Sequence, residues 1–300
     1  MNINKRLIEL LEIPLSSTMV TKDAAEDAIK DIILSVCPAS QDRYGNLYYF
    51  VDKSDTMFIS HIDTVSSFYI KMSKKIGNKP TKRELAIDDQ FISLASQSEP
   101  LGADDRAGIF IMLEMIKSQV PGLYLFTLDE EIGGLGGLSF IKTNGFLLDN
   151  IKKCISFDRY GYSSIITHQG SRTASDEFAR DLEYRFLQNG MYFTADSSGI
   201  FTDSANFKNK ISECTNISVG YFGHHTEDEK LNYVFLQHLT EVCCLIKWDD
   251  ISSYRDPFAI PKQYKDGLFN DVYFDNKYDE DDFEDFKDEE WEFDDPENRF

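Results

Sequence analysis

The sequence predicts an α/β sandwich, in which helices pack on a mostly parallel β-sheet. Short apolar runs alternate with segments of helical periodicity along most of the chain, a pattern typical of strands joined by helical crossovers. The 300 residues are 42% hydrophobic, which is enough to bury one large core and excludes a wholly disordered chain. No internal repeat and no linker precede residue 250, which favours one folded domain.

The first 100 residues are predicted to contain two helices, two strands and a long loop. Apolar residues recur at helical spacing over residues 3–12 and 21–36. Strands are predicted over 46–51 and 56–63, and the polar turn between them indicates a hairpin. Residues 66–98 are polar and rich in Lys and Ser, which is typical of an elaborated loop with short strands.

From residue 104 onward, the pattern alternates between helices and buried strands. An apolar strand over 122–131 leads into the glycine-rich turn GGLGG. The other elements are a helix that begins at Asp104, strands over 152–158 and 213–222, and helices over 174–188 and 231–246. Because such strands return through helices, neighbouring strands run parallel and their carboxyl ends lie at one edge of the sheet.

The composition of the chain excludes several classes of partner. Acidic residues outnumber basic ones by 52 to 31, a net charge of −21, so the surface repels phosphate backbones and we expect no nucleic-acid partner. We expect no membrane association either, since the sequence contains no run of 18 apolar residues and no apolar signal core. The five cysteines are scattered and form no CxxC pair, which predicts buried thiols in a reducing cytoplasm.

An acidic segment that is rich in aromatic residues ends the sequence. Residues 266–300 contain 16 acidic residues against 3 basic ones, a net charge of −13. We therefore predict a folded domain over residues 1–250 and an acidic tail over residues 251–300. The tail is either a disordered segment or a docking segment whose aromatic residues bind this chain, a second copy or another protein. The sequence leaves both alternatives open.

Carboxylates and histidines lie at the predicted ends of strands and at the start of a helix. Each of them alone has an ordinary explanation as surface charge, surface histidine or helix N-cap. Together they form a cluster of negative charge that a bound cation would stabilise. Imidazole and carboxylate donors without thiolates suit zinc, manganese or cobalt. The residues of the cluster are His61, Asp63, Asp104, Glu130, Glu131, Asp158 and His225.

The order of these motifs resembles that of the co-catalytic dizinc exopeptidases. The matching segments are HID, GADDRAG, DEE, SFDRYG and ECTNISVGYFGHHTEDEKLN, within about residues 40–247. They are most similar to the single-domain leucyl-aminopeptidase-like branch of that superfamily. The resemblance implies a three-layer α/β sandwich without a full lid domain. It also implies two divalent metal ions, which we expect to be zinc, with manganese or cobalt as alternatives.

The resemblance implies a metal-binding role for five residues of the cluster. His61 and Asp158 would hold one metal ion, and Glu131 and His225 would hold the other. Asp104 would bridge the two ions. A carboxylate suits that role because a bridging ligand needs two donor oxygens, which an imidazole does not have.

The resemblance implies other roles for the remaining candidates. Asp63 would orient a metal-binding histidine, and Glu130 would act as the general base. His168 could line the substrate cleft or serve as an ordinary strand-end histidine, and Asp203 could bind a substrate amine or cap a helix. His224 is an alternative metal ligand, although the family pattern matches the second histidine of the pair.

The function implied by the resemblance is that of an aminopeptidase acting on short peptides. The same two-metal site could instead belong to an N-acyl amino-acid deacylase or a carboxypeptidase. A non-enzymatic scaffold with an acidic partner-binding tail is a further alternative. Only 66 residues separate Asp158 from His225, which is too few for the lid domain that the carboxypeptidase and tripeptidase branches insert there. The lack of room for this lid predicts cleavage from the amino end. The 40 residues between Asp63 and Asp104 are expected to form a wall or a small oligomer contact.

Overall fold

The computed structural model describes residues 2–15, 24–65, 83–96 and 99–258. Within these residues, a β-sheet of eight strands forms the centre of the fold. In order across the sheet, the strands are β1 (Ser40–Gln41), β2 (Leu47–Val51), β6 (Gly122–Thr127), β3 (Thr56–His61), β7 (Lys153–Arg159), β10 (Glu213–Ser218), β8 (Ser164–Ile166) and β9 (Thr194–Asp196). The four central strands β6, β3, β7 and β10 run parallel to one another. The mostly parallel sheet predicted from the sequence is therefore confirmed.

Helices cover both faces of this sheet. Successive side chains of a strand point to opposite faces, so Phe58 belongs to the core on one face while Met57 and Ile59 belong to the core on the other. The helices of the first face are α1 (Lys5–Glu12), α2 (Ala24–Val36), α3 (Ala103–Lys117), α5 (Asp176–Gln188) and α6 (Tyr233–Leu245), and α4 (Leu135–Asn144) packs on the second. The three-layer arrangement is confirmed. Among the described residues, no helix has both the length and the apolar character required to cross a bilayer.

A second, antiparallel sheet lies beside the first in the described part of the chain. Its strands are, in order, β11 (Tyr221–Phe222), β12 (Lys230–Asn232), β5 (Phe91–Leu94) and β4 (Leu85–Ile87). β4 and β5 are short strands within the long loop predicted over 66–98, of which residues 66–82 and 97–98 lie outside the described residues. The stretch 159–224 is described throughout, and its strands and helix all belong to the body of the fold.

β2 and β3 do not form the predicted hairpin. β6 lies between them, antiparallel to β2 and parallel to β3. All six residues of β6 are buried, so this strand packs on both faces and takes an interior position, whereas β2 is only partly buried. The four residues that connect β2 to β3 can span two strand spacings, about 10 Å, without strain. A short polar turn thus joined two strands that are neighbours in sequence but do not pair.

Several predicted strands are shorter in the structure, among them β3, which ends at His61 rather than at residue 63, and one helix was not predicted. β6 ends at Thr127 rather than at residue 131, and the strand predicted over 213–222 divides at Gly220, whose φ of 97° redirects the chain into the second sheet. α4 begins within GGLGG, which the sequence analysis assigned to a turn. A Cβ atom on Gly136 would lie 2.2 Å from the carbonyl oxygen of Leu128. Glycine is therefore required there by close packing, and its low helix propensity conceals the helix.

The last described residues, 248–258, lie against the amino ends of the central strands. Nζ of Lys153, the first residue of β7, donates to the carbonyl oxygen of Ile251 at 2.8 Å. The carboxylate of Glu213, the first residue of β10, accepts the backbone N–H groups of Tyr254 and Arg255 at 2.7 and 2.8 Å. Residues 259–300 lie outside the described part of the chain, so the tail and its boundary near residue 250 stay predictions.

Candidate metal centre

The predicted site residues meet at the edge of the sheet where the parallel strands end. His61 is the last residue of β3, and Asp158 is the penultimate residue of β7. Glu130 and Glu131 lie in the turn that follows β6. Because parallel strands place their carboxyl ends at a common edge, these side chains come close together.

The carboxylate of Asp104, in the first turn of α3, contacts two histidines at once. Its Oδ1 atom lies 3.1 Å from Nε2 of His61, and its Oδ2 atom lies 3.2 Å from Nε2 of His225. Oε1 of Glu131 lies 3.1 Å from the same nitrogen of His225, and Oδ1 of Asp158 lies 3.8 Å from Nε2 of His61. The contacts thus divide into two groups, His61 with Asp158 and His225 with Glu131, and Asp104 belongs to both.

Asp63 fixes the orientation of both His61 and the turn after β6. Nδ1 of His61 lies 2.8 Å from the backbone carbonyl oxygen of Asp63, so this nitrogen carries a proton, and Nε2, which faces Asp104, is the nitrogen that could bind a metal ion. The carboxylate of Asp63 accepts the backbone N–H groups of Glu130 and Glu131 at 3.1 and 3.0 Å. The carbonyl group of Asp63 therefore orients the histidine, and its carboxylate, 3.6 Å from the same nitrogen, also holds the turn that carries the two glutamates.

Asp158 is held by residues that the sequence analysis did not identify. Oγ1 of Thr202 donates to one carboxylate oxygen at 2.5 Å, and the hydroxyl of Tyr221 donates to the other at 3.2 Å. The side-chain amide of Asn216 accepts the backbone N–H of Asp158 and donates to its carbonyl oxygen. These contacts join residues that are 44 to 63 positions apart in sequence, and no local sequence pattern marks them.

Glu229 is a fourth residue that could not be identified from the sequence. Its buried carboxylate accepts the backbone N–H of Gly102 at 2.7 Å and that of Asp104 at 3.1 Å. It therefore fixes the backbone of the residue that contacts both histidines. In the segment TEDE, nothing in the sequence distinguishes Glu229 from the exposed Glu227.

Replacing Glu229 by glutamine is expected to weaken divalent-metal binding at least tenfold and to lower the free energy of unfolding by about 1–3 kcal/mol. The amide has one acceptor oxygen, so one backbone N–H group would lose its partner and face a second donor. Metal titration and urea unfolding measure the two effects. Glu227→Gln is the matched control, and equal effects of the two substitutions would contradict a positioning role for Glu229.

Burial makes the negative charge of the cluster costly. It raises the pKa of Glu130 to about 10, and it also raises the pKa values of Glu131 and Asp158. Burial by itself lowers the pKa of His225, but hydrogen bonds to Asp104 and Glu131 raise that pKa to about 10 overall. Within the described residues, the ion pairs of Asp104, Glu131 and Asp158 are made with histidines alone.

The donor set of the cluster fits divalent cations. Three groups of three residues each place one potential ligand atom per residue within 4.8 Å of the others. The groups are His61, Asp104 and Asp158; His61, Glu130 and Glu131; and Asp104, Glu131 and His225. Imidazole nitrogens and carboxylate oxygens are the donors that zinc binds in catalytic sites, and cations would offset the charge that burial penalises. We refer to His61, Asp104, Glu131, Asp158 and His225 as the candidate ligands.

Aromatic and apolar residues form part of the walls of the cleft that contains the carboxylates of Asp104, Glu130, Glu131 and Asp158. Ile166, Ile200 and Phe201 are among the residues that line it. The ring of His224 stacks on Tyr160, with ring centroids 5.4 Å apart and planes inclined by 18°. His224 is thus a wall residue, while the neighbouring histidine contacts the carboxylates.

His168 and Asp203, which were predicted to bind substrate, are not among the described residues that line this cleft. Asp203 is buried and accepts a hydrogen bond from Oγ1 of Thr127, and burial raises its pKa to about 7. His168 is half-buried, and its Nδ1 atom lies 2.9 Å from Oγ1 of Thr167. Their roles in substrate binding stay predictions.

Comparison with known proteins identifies the fold. No protein-family model and no curated protein sequence matches the chain. Aminopeptidase PepT from Bacillus cereus ATCC 10987 is 16% identical, with a TM-score of 0.60 over 81% of this chain and 97% of that chain. A tripeptidase from Staphylococcus aureus subsp. aureus Mu50 is also 16% identical, with a TM-score of 0.60 over 82% of this chain and 98% of that chain. The Pyrococcus horikoshii TET1 peptidase is 16% identical, with a TM-score of 0.56 over 80% and 97% of the two chains.

Proposed function

We propose that this chain is a metal-dependent exopeptidase, an aminopeptidase that hydrolyses short peptides with two zinc ions. The observation that carries the proposal is the position of Asp104, which contacts His61 with one carboxylate oxygen and His225 with the other. Glu130 lies beside them in the same cleft. Solved structures with the same fold that are named as an aminopeptidase, a tripeptidase and a peptidase support this choice of reaction.

The proposed mechanism divides the work between cations and protein. Two divalent cations at the candidate ligands would polarise the scissile carbonyl and lower the pKa of water. Cations that offset the buried negative charge would keep Glu130 ionised, and its carboxylate oxygen takes a proton from the attacking water and gives it to the leaving amine as the C–N bond breaks. Asp63 keeps Glu130 in place through the hydrogen bond from the Glu130 N–H to its carboxylate. The side chain of the neighbouring Glu131 faces His225 instead.

Cleavage is expected to proceed from the amino end of a peptide, and N-acetylated peptides are expected to resist. The segment between Asp158 and His225 builds the body of the fold and forms no separate lid domain of the kind that the carboxypeptidase and tripeptidase branches insert there. Mass spectrometry of a timed digest measures the order in which residues are lost. Early loss of carboxyl-terminal residues would favour a carboxypeptidase, and release of amino acids from N-acyl amino acids alone would favour a deacylase.

We also propose that the enzyme is cytoplasmic and that it self-associates. All five cysteines have free thiols, four of them buried, which supports a reducing cytoplasm. The Pyrococcus horikoshii TET1 peptidase can assemble into a tetrahedron or a large octahedral shell. That behaviour supports self-association of this chain, for which the acidic tail is one candidate element.

A further inference from the structure

One wall of the cleft connects an arginine to the candidate metal centre. Arg159 follows Asp158 at the end of β7, and its Cζ atom lies 4.2 Å from the ring centroid of Tyr160. The ring of Tyr160 stacks on His224, whose own ring centroid lies 4.9 Å from that of His225. A guanidinium group, two aromatic rings and a candidate ligand thus form a continuous surface along the cleft.

The guanidinium of Arg159 is incompletely paired. Its hydrogen bonds within the described residues are all made by Nη2, at 3.2 Å to Oγ of Ser198 and 3.4 Å to the hydroxyl of Tyr160. Nε is buried and has no hydrogen-bond partner among those residues. The nearest carboxylate, that of Asp196, is 3.6 Å away and already accepts hydrogen bonds from Ser164 and Ser198 at 2.7 Å. Arg159 therefore keeps donors for a further anion.

The charges around the cleft favour a carboxylate as the anion that binds Arg159. Two divalent cations would offset the four carboxylates of Asp104, Glu130, Glu131 and Asp158. Among the described residues that line the cleft, Arg159 is then the one remaining fixed cation. The chain as a whole carries a net charge of −21, so its overall charge repels an acidic ligand, and a local cation in the cleft is needed to bind one. Arginine binds carboxylates through paired N–H donors, which gives both strength and orientation.

We propose, on the basis of the proposed peptidase function, that Arg159 binds a carboxylate of the peptide substrate. The carboxylate is either the side chain of an acidic amino-terminal residue or the carboxyl terminus of a very short peptide. Both lie within a few bonds of the scissile carbonyl, and Arg159 lines the same cleft as the candidate ligands Asp104, Glu131, Asp158 and His225. Arg159 is thus a specificity residue for anionic substrates.

Calorimetry tests this proposal by measuring how three peptides bind to the metal-loaded Glu130→Gln variant. This variant is used because it is expected to bind the peptides without hydrolysing them. The peptides are Glu-Ala-amide, Gln-Ala-amide and Gln-Ala with a free carboxyl terminus. Adding Arg159→Met should raise the Kd of one carboxylate-bearing peptide at least tenfold relative to that of Gln-Ala-amide. A change confined to Glu-Ala-amide identifies the side chain as the ligand, and a change confined to Gln-Ala identifies the carboxyl terminus.

Two control variants separate recognition from a structural tether between Arg159 and Asp196. Asp196→Asn should preserve or increase the preference for the carboxylate, since it removes the competing anion, whereas a tether predicts that it mimics Arg159→Met. Arg172→Met, at an exposed arginine paired with Asp176, should leave all three Kd values unchanged. Kd ratios unaffected by Arg159→Met would overturn the proposal. Hydrolysis by the unsubstituted protein is scored separately, so a failed peptidase assay and a failed Arg159 test are distinguishable.

Discussion

Replacing Glu130 by glutamine is expected to lower kcat for a short peptide by roughly 10²–10⁴, with little change in metal content or folding. Glutamine preserves the size of the side chain but cannot take a proton from water. Glu130 lies in the cleft, within 4.8 Å of potential ligand atoms of His61 and Glu131. Its carboxylate nevertheless belongs to neither of the two contact groups that share Asp104, the one with His61 and Asp158 and the one with His225 and Glu131. Steady-state kinetics and elemental analysis of the same preparation measure the two quantities.

Glu131→Gln is the matched comparison for that experiment, because the two glutamates are adjacent and their backbone N–H groups bind the same carboxylate. Oε1 of Glu131 lies 3.1 Å from Nε2 of His225, so this substitution is expected to weaken metal binding. If both substitutions change metal content to the same extent, the division between a base and a ligand is wrong.

Replacing Asp104 by alanine is expected to cause the loss of both metal ions, whereas His61→Ala should affect mainly one. The carboxylate of Asp104 takes part in both groups of contacts, while His61 takes part in the group that contains Asp158. Because a cation bound to the native state stabilises it, Asp104→Ala should also abolish the rise in Tm that added zinc produces in the unsubstituted protein.

Titration of each variant with zinc, followed by thermal unfolding, measures that loss. His238→Ala serves as the control, since His238 lies on α6, is about half exposed and is paired only with Glu241 among the described residues. Retention of one zinc ion per chain by Asp104→Ala would show that this residue is an ordinary ligand rather than a bridge.

The sequence predicted the fold class and the clustering of the candidate site residues because both depend on local patterns. Strand periodicity places His61 and Asp158 at strand ends, and parallel strands bring such ends to one edge. The pairing of β2 and β3 was predicted wrongly because a turn does not show whether another strand, here β6, lies between them. The helix α4 was missed because its glycines disfavour a helix locally but permit close packing against Leu128.

The residues that support the site could not be predicted, since their partners are distant in sequence. Thr202 binds a carboxylate 44 residues away, and Glu229 binds the backbone of a residue 125 positions away. Each is an ordinary polar residue in a loop, and only the folded chain gives it a partner. Arg159 likewise looks like surface charge until β7 and the loop at Ser198 place it in the cleft wall.

The number of divalent cations bound per chain tests the proposed function most directly. Elemental analysis of protein purified without chelator and then loaded with zinc is expected to give two ions per chain, bound by imidazole and carboxylate groups. One ion is expected to remain in His61→Ala and none in Asp104→Ala. A protein that repeatedly contains no divalent transition metal, and takes up none when zinc, manganese or cobalt is added, would contradict the two-metal peptidase.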